Sequence, residues 1–226
     1  MAKFAKIIHQ NNENLLIQKF ITLFKAKIRN NRKSRFSFVL TGGNSPKNLY
    51  TTLSKTKNIN WKKIDFFISD ERYVNENSRN SNIGMCNKYL FKKIKITTNQ
   101  INKISTNIKP LSKCASDYEI KIRKYFLNKK ISFDLVLLGI GTDGHIASLF
   151  KNNIKNKTNN NVVVVNKKDF LRISLTLKCL NNSKTIFLWA PGKNKSNIIK
   201  KIKLDKRFDY PVSFLKKKNN FLFYCY

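Results

Sequence analysis

The stretch 133–150 constrains the fold of this chain more than any other part of the sequence. An apolar run, residues 135–138, stops at Gly139, and two further glycines follow within five residues. Apolar residues then return at helix-like spacing, so the pattern predicts a buried strand, a tight turn and the start of a helix. Functional groups of open α/β sheets gather beyond the carboxyl ends of such strands. Asp143 and His145 lie in this turn and are therefore candidate site residues.

Strand-like and helix-like segments alternate along the chain. The predicted strands are 36–41, 64–69, 135–138, 162–165, 171–176, 184–189 and 221–225, and the predicted helices cover 11–29, 47–53, 83–94, 112–127 and 193–203. This order predicts an α/β fold, a three-layer α/β/α sandwich with a largely parallel, Rossmann-like sheet. No linker or internal repeat divides the sequence, so we expect a single domain over residues 1–226.

The chain is strongly basic, with 46 Lys and Arg against 12 Asp and Glu and a formal net charge of +34. Such a balance often indicates nucleic-acid binding. Here the lysines are scattered, the longest run is Lys216–Lys218, and no zinc-finger or RNP-like motif is present. Lys, Asn, Ile and Phe are enriched together, as AT-rich codons would produce. We therefore expect no nucleic-acid partner, although the positive field favours an anionic substrate.

The sequence does not indicate a metal site, a disulfide bond or a membrane-spanning segment. The four cysteines are far apart in sequence, no C-x-x-C pair occurs, and the chain contains only two histidines, His9 and His145. A zinc site is therefore not expected. The charged start of the chain does not match a signal peptide, and no apolar stretch is long enough to span a membrane. These features predict a reduced, cytoplasmic protein.

A glycine loop at 42–46 follows the strand 36–41 and precedes a predicted helix. Ser45 is placed as the N-cap and Pro46 as the first helical residue. Backbone N–H groups of Gly42, Gly43 and Asn44 would then face outward at a helix N-terminus, which favours a phosphate. An ordinary βα turn is the alternative, and the spacing of a P-loop is absent.

Asp70, Glu71 and Arg72 follow the predicted strand 64–69. Acids beside an arginine at the end of a strand can orient hydroxyl groups and hold an anion. The alternative is a solvated cluster of charges on the surface.

The glycines at 139, 141 and 144 also match the G-x-G-x-x-G fingerprint of dinucleotide-binding proteins. That fingerprint requires an acid about 20 residues further on, at the end of the next strand. Asp169 is the next candidate, but it lies after the strand 162–165 has ended. A dinucleotide cofactor is therefore not predicted.

Several motifs together resemble the 6-phosphogluconolactonases. They are T-G-G-N-S-P at 41–46, S-D-E-R-Y-V at 69–74, N-S-N at 80–82 with Met85, G-I-G-T-D-G-H-I-A-S-L-F at 139–150, R-I-S-L-T at 172–176 and G-K-N-K at 192–195. The related glucosamine-6-phosphate deaminases and isomerases share the G-x-D-G-H turn, but they continue it differently and have Asp-Glu-Tyr in place of Asp-Glu-Arg. The glycine loop departs from the usual Gly-Gly-Ser-Thr-Pro. Just before the Ser81-Asn82 pair, where many relatives have a histidine, this chain has Arg79-Asn80.

The resemblance implies hydrolysis of 6-phospho-D-glucono-1,5-lactone without a metal or cofactor. His145 would act as the general base: it takes a proton from water attacking C1 and returns it to the ring oxygen. Asp143 would either orient His145 or bind sugar hydroxyls. Asp70 and Arg72 would line the opposite wall of the site.

An anionic sugar phosphate is the expected partner, and the chain is expected to be a monomer or small homo-oligomer. The residues expected to bind the phosphate are Arg172, Lys195 and the backbone N–H groups of Gly42, Gly43 and Asn44, with Lys193 as an alternative to Lys195. A sugar-phosphate deaminase or isomerase is the main rival function. Two weaker hypotheses are a nucleic-acid-binding protein and a relative of these enzymes that has lost activity.

Overall fold

The computed structural model describes residues 4–154, 158–204, 209–216 and 220–226. The strands are β1 Lys6–Gln10, β2 Phe36–Leu40, β3 Ile64–Ile68, β4 Asp70–Arg72, β5 Ile101–Asn102, β6 Leu135–Gly139, β7 Val162–Asn166, β8 Leu171–Leu175, β9 Ile186–Pro191 and β10 Asn220–Cys225. The helices are α1 Glu13–Arg29, α2 Lys47–Lys55, α3 Asn82–Tyr89, α4 Leu111–Tyr125, α5 Leu177–Asn181 and α6 Ser196–Leu204. Every strand predicted from sequence is present, with ends shifted by one or two residues.

Seven of the described strands form a parallel sheet in the order β1-β10-β9-β6-β2-β3-β5. Strands β2, β3 and β9 are buried along their whole length, which explains their nearly continuous apolar sequences. The predicted Rossmann-like, largely parallel sheet is confirmed.

Adjacent phenylalanines of β3 show the three layers of the sandwich. Successive side chains of a strand point to opposite faces. The ring of Phe66 lies 6.2 Å from that of Phe38, which in turn lies 4.9 Å from Phe24 of α1. The ring of Phe67 lies 4.9 Å from Tyr125 of α4. Helices α1 and α4 therefore pack on opposite faces of the sheet.

Strands β4, β8 and β7 form a second, antiparallel sheet at the carboxyl end of the large one. The chain reaches it by a bend at Ser69, directly after β3. The N–H of Ser69 donates to Leu40 of the parallel sheet, and its carbonyl accepts from the N–H of Leu175 in β8. The sequence does not predict this sheet, because the short strand β4 is made of charged residues that carry no strand-like alternation.

The helix predicted to start after Gly144 does not form, and that prediction is wrong. Instead, Ile146 and Leu149 exchange backbone hydrogen bonds across a tight turn, in which Ala147 has φ of 48°. The hydroxyl of Ser148 donates to Asp70 at 2.7 Å. A buried long-range hydrogen bond and two buried apolar side chains thus outweigh the local helical spacing.

Three smaller expectations also need correction. Pro46, not Ser45, is the residue before helix α2, and no side chain caps that helix. The carbonyl of Ser45 instead accepts a hydrogen bond from Nε1 of Trp189. The predicted helix 83–94 ends at Tyr89 and is followed by a 3₁₀ turn, and the predicted helix 193–203 divides into a 3₁₀ turn and α6. Strands β1 and β5 and helix α5 were not predicted.

Asp134 ties three neighbouring strands together just before β6. Its carboxylate accepts from the N–H and hydroxyl of Ser37 in β2, at 3.0 and 2.9 Å, and from Nζ of Lys184, at 2.7 Å, just before β9. Burial acts to raise the pKa of Asp134, but the hydrogen bonds from Lys184 and Ser37 outweigh it and hold the pKa below its usual value.

We predict that Asp134→Asn lowers the free energy of unfolding at pH 7 by about 1–3 kcal/mol, because a buried charged acceptor is lost. This corresponds to a fall in Tm of about 2–12 °C for a domain of this size. A lowered carboxyl pKa contributes stability above the ordinary Asp pKa of about 4, and the contribution disappears as the pH falls through the native value. The difference in Tm between variant and native chain should therefore narrow below about pH 4.

Glu76→Gln, which removes the same charge at a surface pair with Lys103, is the control. A difference that is equally large at pH 3 and pH 7 would contradict the assignment.

Candidate active site

A small cleft of about 160 Å³ lies where the carboxyl ends of β2, β6 and β9 meet the second sheet. Its lining residues are Thr41, Gly42, Gly43, Asn44, Ser45, Asp70, Arg72, Asn82, Gly139, Ile140, Gly141, His145, Ala147, Arg172 and Lys195. All the site residues expected from sequence line this cleft except Asp143, which stands directly behind His145. Residues from six separate segments are thus brought together at one place.

His145 and Asp143 form a close pair in the turn after β6. Oδ1 of Asp143 lies 2.5 Å from Nδ1 of His145 and also accepts from the His145 backbone N–H at 3.2 Å. The Phe150 ring packs 4.7 Å from the imidazole. Burial acts to raise the pKa of Asp143, but hydrogen bonding and charge from His145 outweigh it and lower the pKa. The contact engages Nδ1 of His145 and leaves Nε2 as the ring nitrogen for other partners.

Two arginines face each other across the second sheet. Arg72 of β4 is directly opposite Arg172 of β8 in the antiparallel register. Nη1 of Arg72 donates to the carbonyl of Asn80 at 2.7 Å, and Nη2 of Arg172 donates to Asp169 at 2.6 Å. Both Nε atoms are buried and have no hydrogen-bond partner within the described part of the chain. Because like charges placed opposite one another are destabilising, this pair is suited to an anion.

Lys195 extends the positive charge on the other side of the cleft. It closes a 3₁₀ turn, Lys193–Lys195, just after β9, and its side chain is buried. Burial lowers the pKa of Lys195, and the negative charge of Asp143 acts in the opposite direction. Lys193 is exposed and does not line the cleft. The position of Lys195 therefore favours it over Lys193 as the lysine that contacts a ligand.

Asp70 is fully engaged within the protein. Its two carboxylate oxygens accept from the hydroxyls of Ser69 and Ser148, at 2.8 and 2.7 Å. Its backbone carbonyl accepts from the side-chain amide of Asn82 at 2.7 Å. The same Asn82 amide lies against Gly42, where any side chain would overlap it. Asp70 and Asn82 thus fix the glycine loop and the turn after β6 relative to each other.

Glu71, not predicted as a site residue, holds the start of helix α3. Its carboxylate accepts from the N–H groups of Arg72, Asn82 and Ile83, at 2.9, 2.7 and 2.7 Å, and from the hydroxyl of Ser81 at 3.3 Å. Burial raises the pKa of Glu71 to about 7, and the three N–H donors act in the opposite direction. Two cleft residues, Arg72 and Asn82, take their backbone positions from this carboxylate.

Asn82, Ser148 and Glu71 are the functional-site residues that sequence reasoning missed. Each lies inside or beside a motif already recognised, but its role depends on partners far away in the chain. Ser148, for example, is separated from Asp70 by 78 residues. What distinguishes these three residues is that they are polar and buried. The sequence shows that they are polar but not that they are buried, so it could not identify them.

The described residues contain neither a metal-binding cluster nor a membrane-spanning helix. No group of three or more His, Cys, Asp or Glu side chains suited to a metal ion occurs among them. None of their helices is long and apolar enough to cross a membrane.

Comparison with known proteins identifies the family. A family model described as glucosamine-6-phosphate isomerases/6-phosphogluconolactonase matches residues 11–223. The chain belongs to this family. Within it, the 6-phosphogluconolactonase of Thermotoga maritima is 35% identical over 188 residues, which are 82% of this chain and 82% of that protein. The 6-phosphogluconolactonase of Haemophilus influenzae is 33% identical over 190 residues, covering 80% and 79% of the two chains.

The solved structures agree. The crystal structure of 6-phosphogluconolactonase from Thermotoga maritima matches this fold with a TM-score of 0.85 at 30% sequence identity. The match covers 98% of this chain and 100% of that chain. The expected family and the α/β sandwich are therefore both confirmed.

The close approach of Gly141 to the His145–Asp143 pair gives a test of this geometry. A Cβ added to Gly141 would overlap Nδ1 of His145 and Oδ1 of Asp143, whereas one added to Gly139 would lie 3.7 Å from Thr41 Oγ1. We predict that Gly141→Ala lowers kcat/KM for a lactone substrate by about 10²-fold, because the imidazole is displaced. Gly139→Ala should retain most of the activity. Equal activity of the two variants would show that the position of His145 is not critical.

Proposed function

We propose that this chain hydrolyses 6-phospho-D-glucono-1,5-lactone to 6-phospho-D-gluconate in the oxidative pentose phosphate pathway. The observation that carries the proposal is His145, paired with Asp143 behind it, in a cleft that also contains Arg72 and Arg172. A base beside an anion site is the arrangement that hydrolysis of a phosphorylated lactone requires. Membership of a family that includes 6-phosphogluconolactonases supports the same activity.

His145 is the general base in this proposal, and Asp143 orients it. Since the Asp143 carboxylate accepts from Nδ1, the neutral imidazole carries its lone pair on Nε2. Nε2 removes a proton from water as the water oxygen attacks C1 of the lactone. The bond between C1 and the ring oxygen then breaks, and the proton on Nε2 passes to that oxygen to give the 5-hydroxyl group. The carboxylic acid formed at C1 loses its proton to solvent.

The phosphate is held by the basic side of the cleft. We propose that Arg172 and Lys195 contact it, together with backbone N–H groups of Gly42, Gly43 and Asn44. Arginine binds phosphate oxygens through charge-assisted hydrogen bonds. Backbone N–H groups add hydrogen-bond donors that are held at fixed positions by the main chain. Arg72 and Asp70 form the opposite wall.

The chemistry uses only water and side chains of this chain. A δ-lactone is a reactive ester, so a positioned water and a base account for the expected acceleration without a cofactor. All four cysteines are free and buried. Free cysteines are typical of a reducing compartment, which supports a cytoplasmic enzyme. We propose that it acts as a monomer or small homo-oligomer.

Replacement of the base is the direct test. We predict that His145→Ala lowers kcat by about 10²–10⁴-fold, the contribution of a general base. The assay follows acid release from freshly prepared 6-phosphogluconolactone, with spontaneous hydrolysis subtracted. His9→Ala is the matched control, because His9 is the other histidine and stacks on Tyr224 in β10.

The assignment of His145 fails if His145→Ala is as active as the native chain. Release of ammonia from glucosamine 6-phosphate, measured in parallel, would instead support the deaminase activity of the wider family.

The charge of the chain predicts a dependence on salt. With a net charge of +34, the protein attracts a phosphorylated substrate, and this attraction is screened over about 10 Å at 0.1 M ionic strength. We predict that kcat/KM falls several-fold between low salt and about 0.3 M salt, mainly through KM. The phosphate-free glucono-1,5-lactone should show a much weaker effect. Equal salt dependence for both lactones would exclude steering by charge.

A further inference from the structure

We propose that Asp169 is a positioning residue for phosphate binding, which holds the Arg172 guanidinium with its free donors toward the cleft. The inference rests on the proposed function and assigns a role to a carboxylate that the reaction itself does not use. Asp169 lies in the turn of the β7–β8 hairpin, residues 162–175, and Arg172 is the second residue of β8.

Arg172 is held from several sides. Its side chain is 7% exposed, and Nη2 donates to Oδ2 of Asp169 at 2.6 Å. Its Cζ lies 5.7 Å from the centre of the Phe150 ring and 5.8 Å from that of Phe170. Among the described residues that contact this guanidinium, Asp169 is the carboxylate partner. The two rings restrict where the guanidinium can lie, and the carboxylate fixes its rotation.

The remaining donors of Arg172 point to a missing acceptor. A guanidinium has five N–H donors in a rigid planar fork. Asp169 engages Nη2, whereas Nε is buried without a partner in the described structure. A buried unsatisfied donor is costly. Since Arg172 lines the cleft, the donors of its terminal Nη atoms that Asp169 leaves unpaired are the ones that an oxygen of a bound phosphate can reach.

Charge compensation alone does not explain Asp169. Arg72 faces Arg172, Lys195 lines the same cleft, and Nζ of Lys167 lies 3.8 Å from the centre of the Phe150 ring. Around the Arg172 guanidinium itself, Asp169 is the hydrogen-bonded carboxylate, whereas the nearby Asp70 and Asp143 contact Ser148 and His145. Burial acts weakly to raise the pKa of Asp169, but the charge of Arg172 outweighs it and lowers the pKa. An ionised Asp169 therefore orients Arg172 without cancelling its attraction for an anion.

The test compares Asp169→Asn with Asp117→Asn. Both substitutions keep the shape of the side chain and remove one negative charge, and Asp117 pairs with Lys121 on α4, away from the cleft residues. Steady-state kinetics are measured with 6-phosphogluconolactone and with phosphate-free glucono-1,5-lactone. The affinity for inorganic phosphate is measured by calorimetry, and thermal unfolding confirms that each variant is folded.

We expect Asp169→Asn to raise KM for 6-phosphogluconolactone by about 3- to 10-fold with little change in kcat, because orientation of a binding group is lost. The Kd for inorganic phosphate should rise by a similar factor, while KM for the phosphate-free lactone stays constant. Asp169→Glu, which restores a carboxylate, should recover part of the affinity. Asp117→Asn should match the native chain.

Two results would overturn the inference. An unchanged KM and Kd would show that Arg172 does not need Asp169, and a lower KM and Kd would show that Asp169 competes with phosphate for Arg172. Loss of the proposed function has a different signature, because a native chain without lactonase activity would fail with every lactone. The calorimetric measurement with inorganic phosphate tests Asp169 in that case as well.

Discussion

The bend at Ser69 is the constraint on which the site depends. One residue hydrogen-bonds to both sheets: its N–H donates to the parallel sheet and its carbonyl accepts from the antiparallel one. The three charged residues that follow, 70–72, therefore do not continue β3 and instead form the separate strand β4. Without this bend, Asp70, Glu71 and Arg72 would continue a buried parallel strand, where their charges could not be accommodated.

Each carboxylate near the cleft has a separate task that is set by its surroundings. Asp70 joins the second sheet to the turn that contains Ser148. Glu71 accepts hydrogen bonds from N–H groups at the start of α3, which have no partner within the helix. Asp143 contacts the imidazole. Similar side chains thus join two segments, cap a helix and contact an imidazole, and the sequence alone does not distinguish these arrangements.

Much of the fold could be predicted because its strands and helices have clear periodicity. The largely parallel character of the sheet followed from the alternation of apolar runs with amphipathic segments such as α1, whereas the order of its strands did not. The helix expected after Gly144 does not form, and the reason can be identified. The apolar residues of this segment have helical spacing, but the hydroxyl of Ser148 hydrogen-bonds to Asp70 and the segment forms a tight turn instead. The residue types of the site could be named from motifs. Their partners could not be named, because Arg72 and Arg172 become neighbours only through a strand pairing that spans 100 residues of sequence.

The opposed arginines also affect the stability of the folded protein itself. Arg72 and Arg172 hold two positive charges opposite each other in the strand register. An anion bound between the two guanidinium groups offsets their mutual repulsion, and any ligand that binds only the native state shifts the folding equilibrium towards it. The fraction of folded protein then rises with the concentration of an anion that binds there. Without such an anion the folded state is less stable and more open to proteolysis, so the geometry of one strand pair makes the stability of the protein depend on the anions around it.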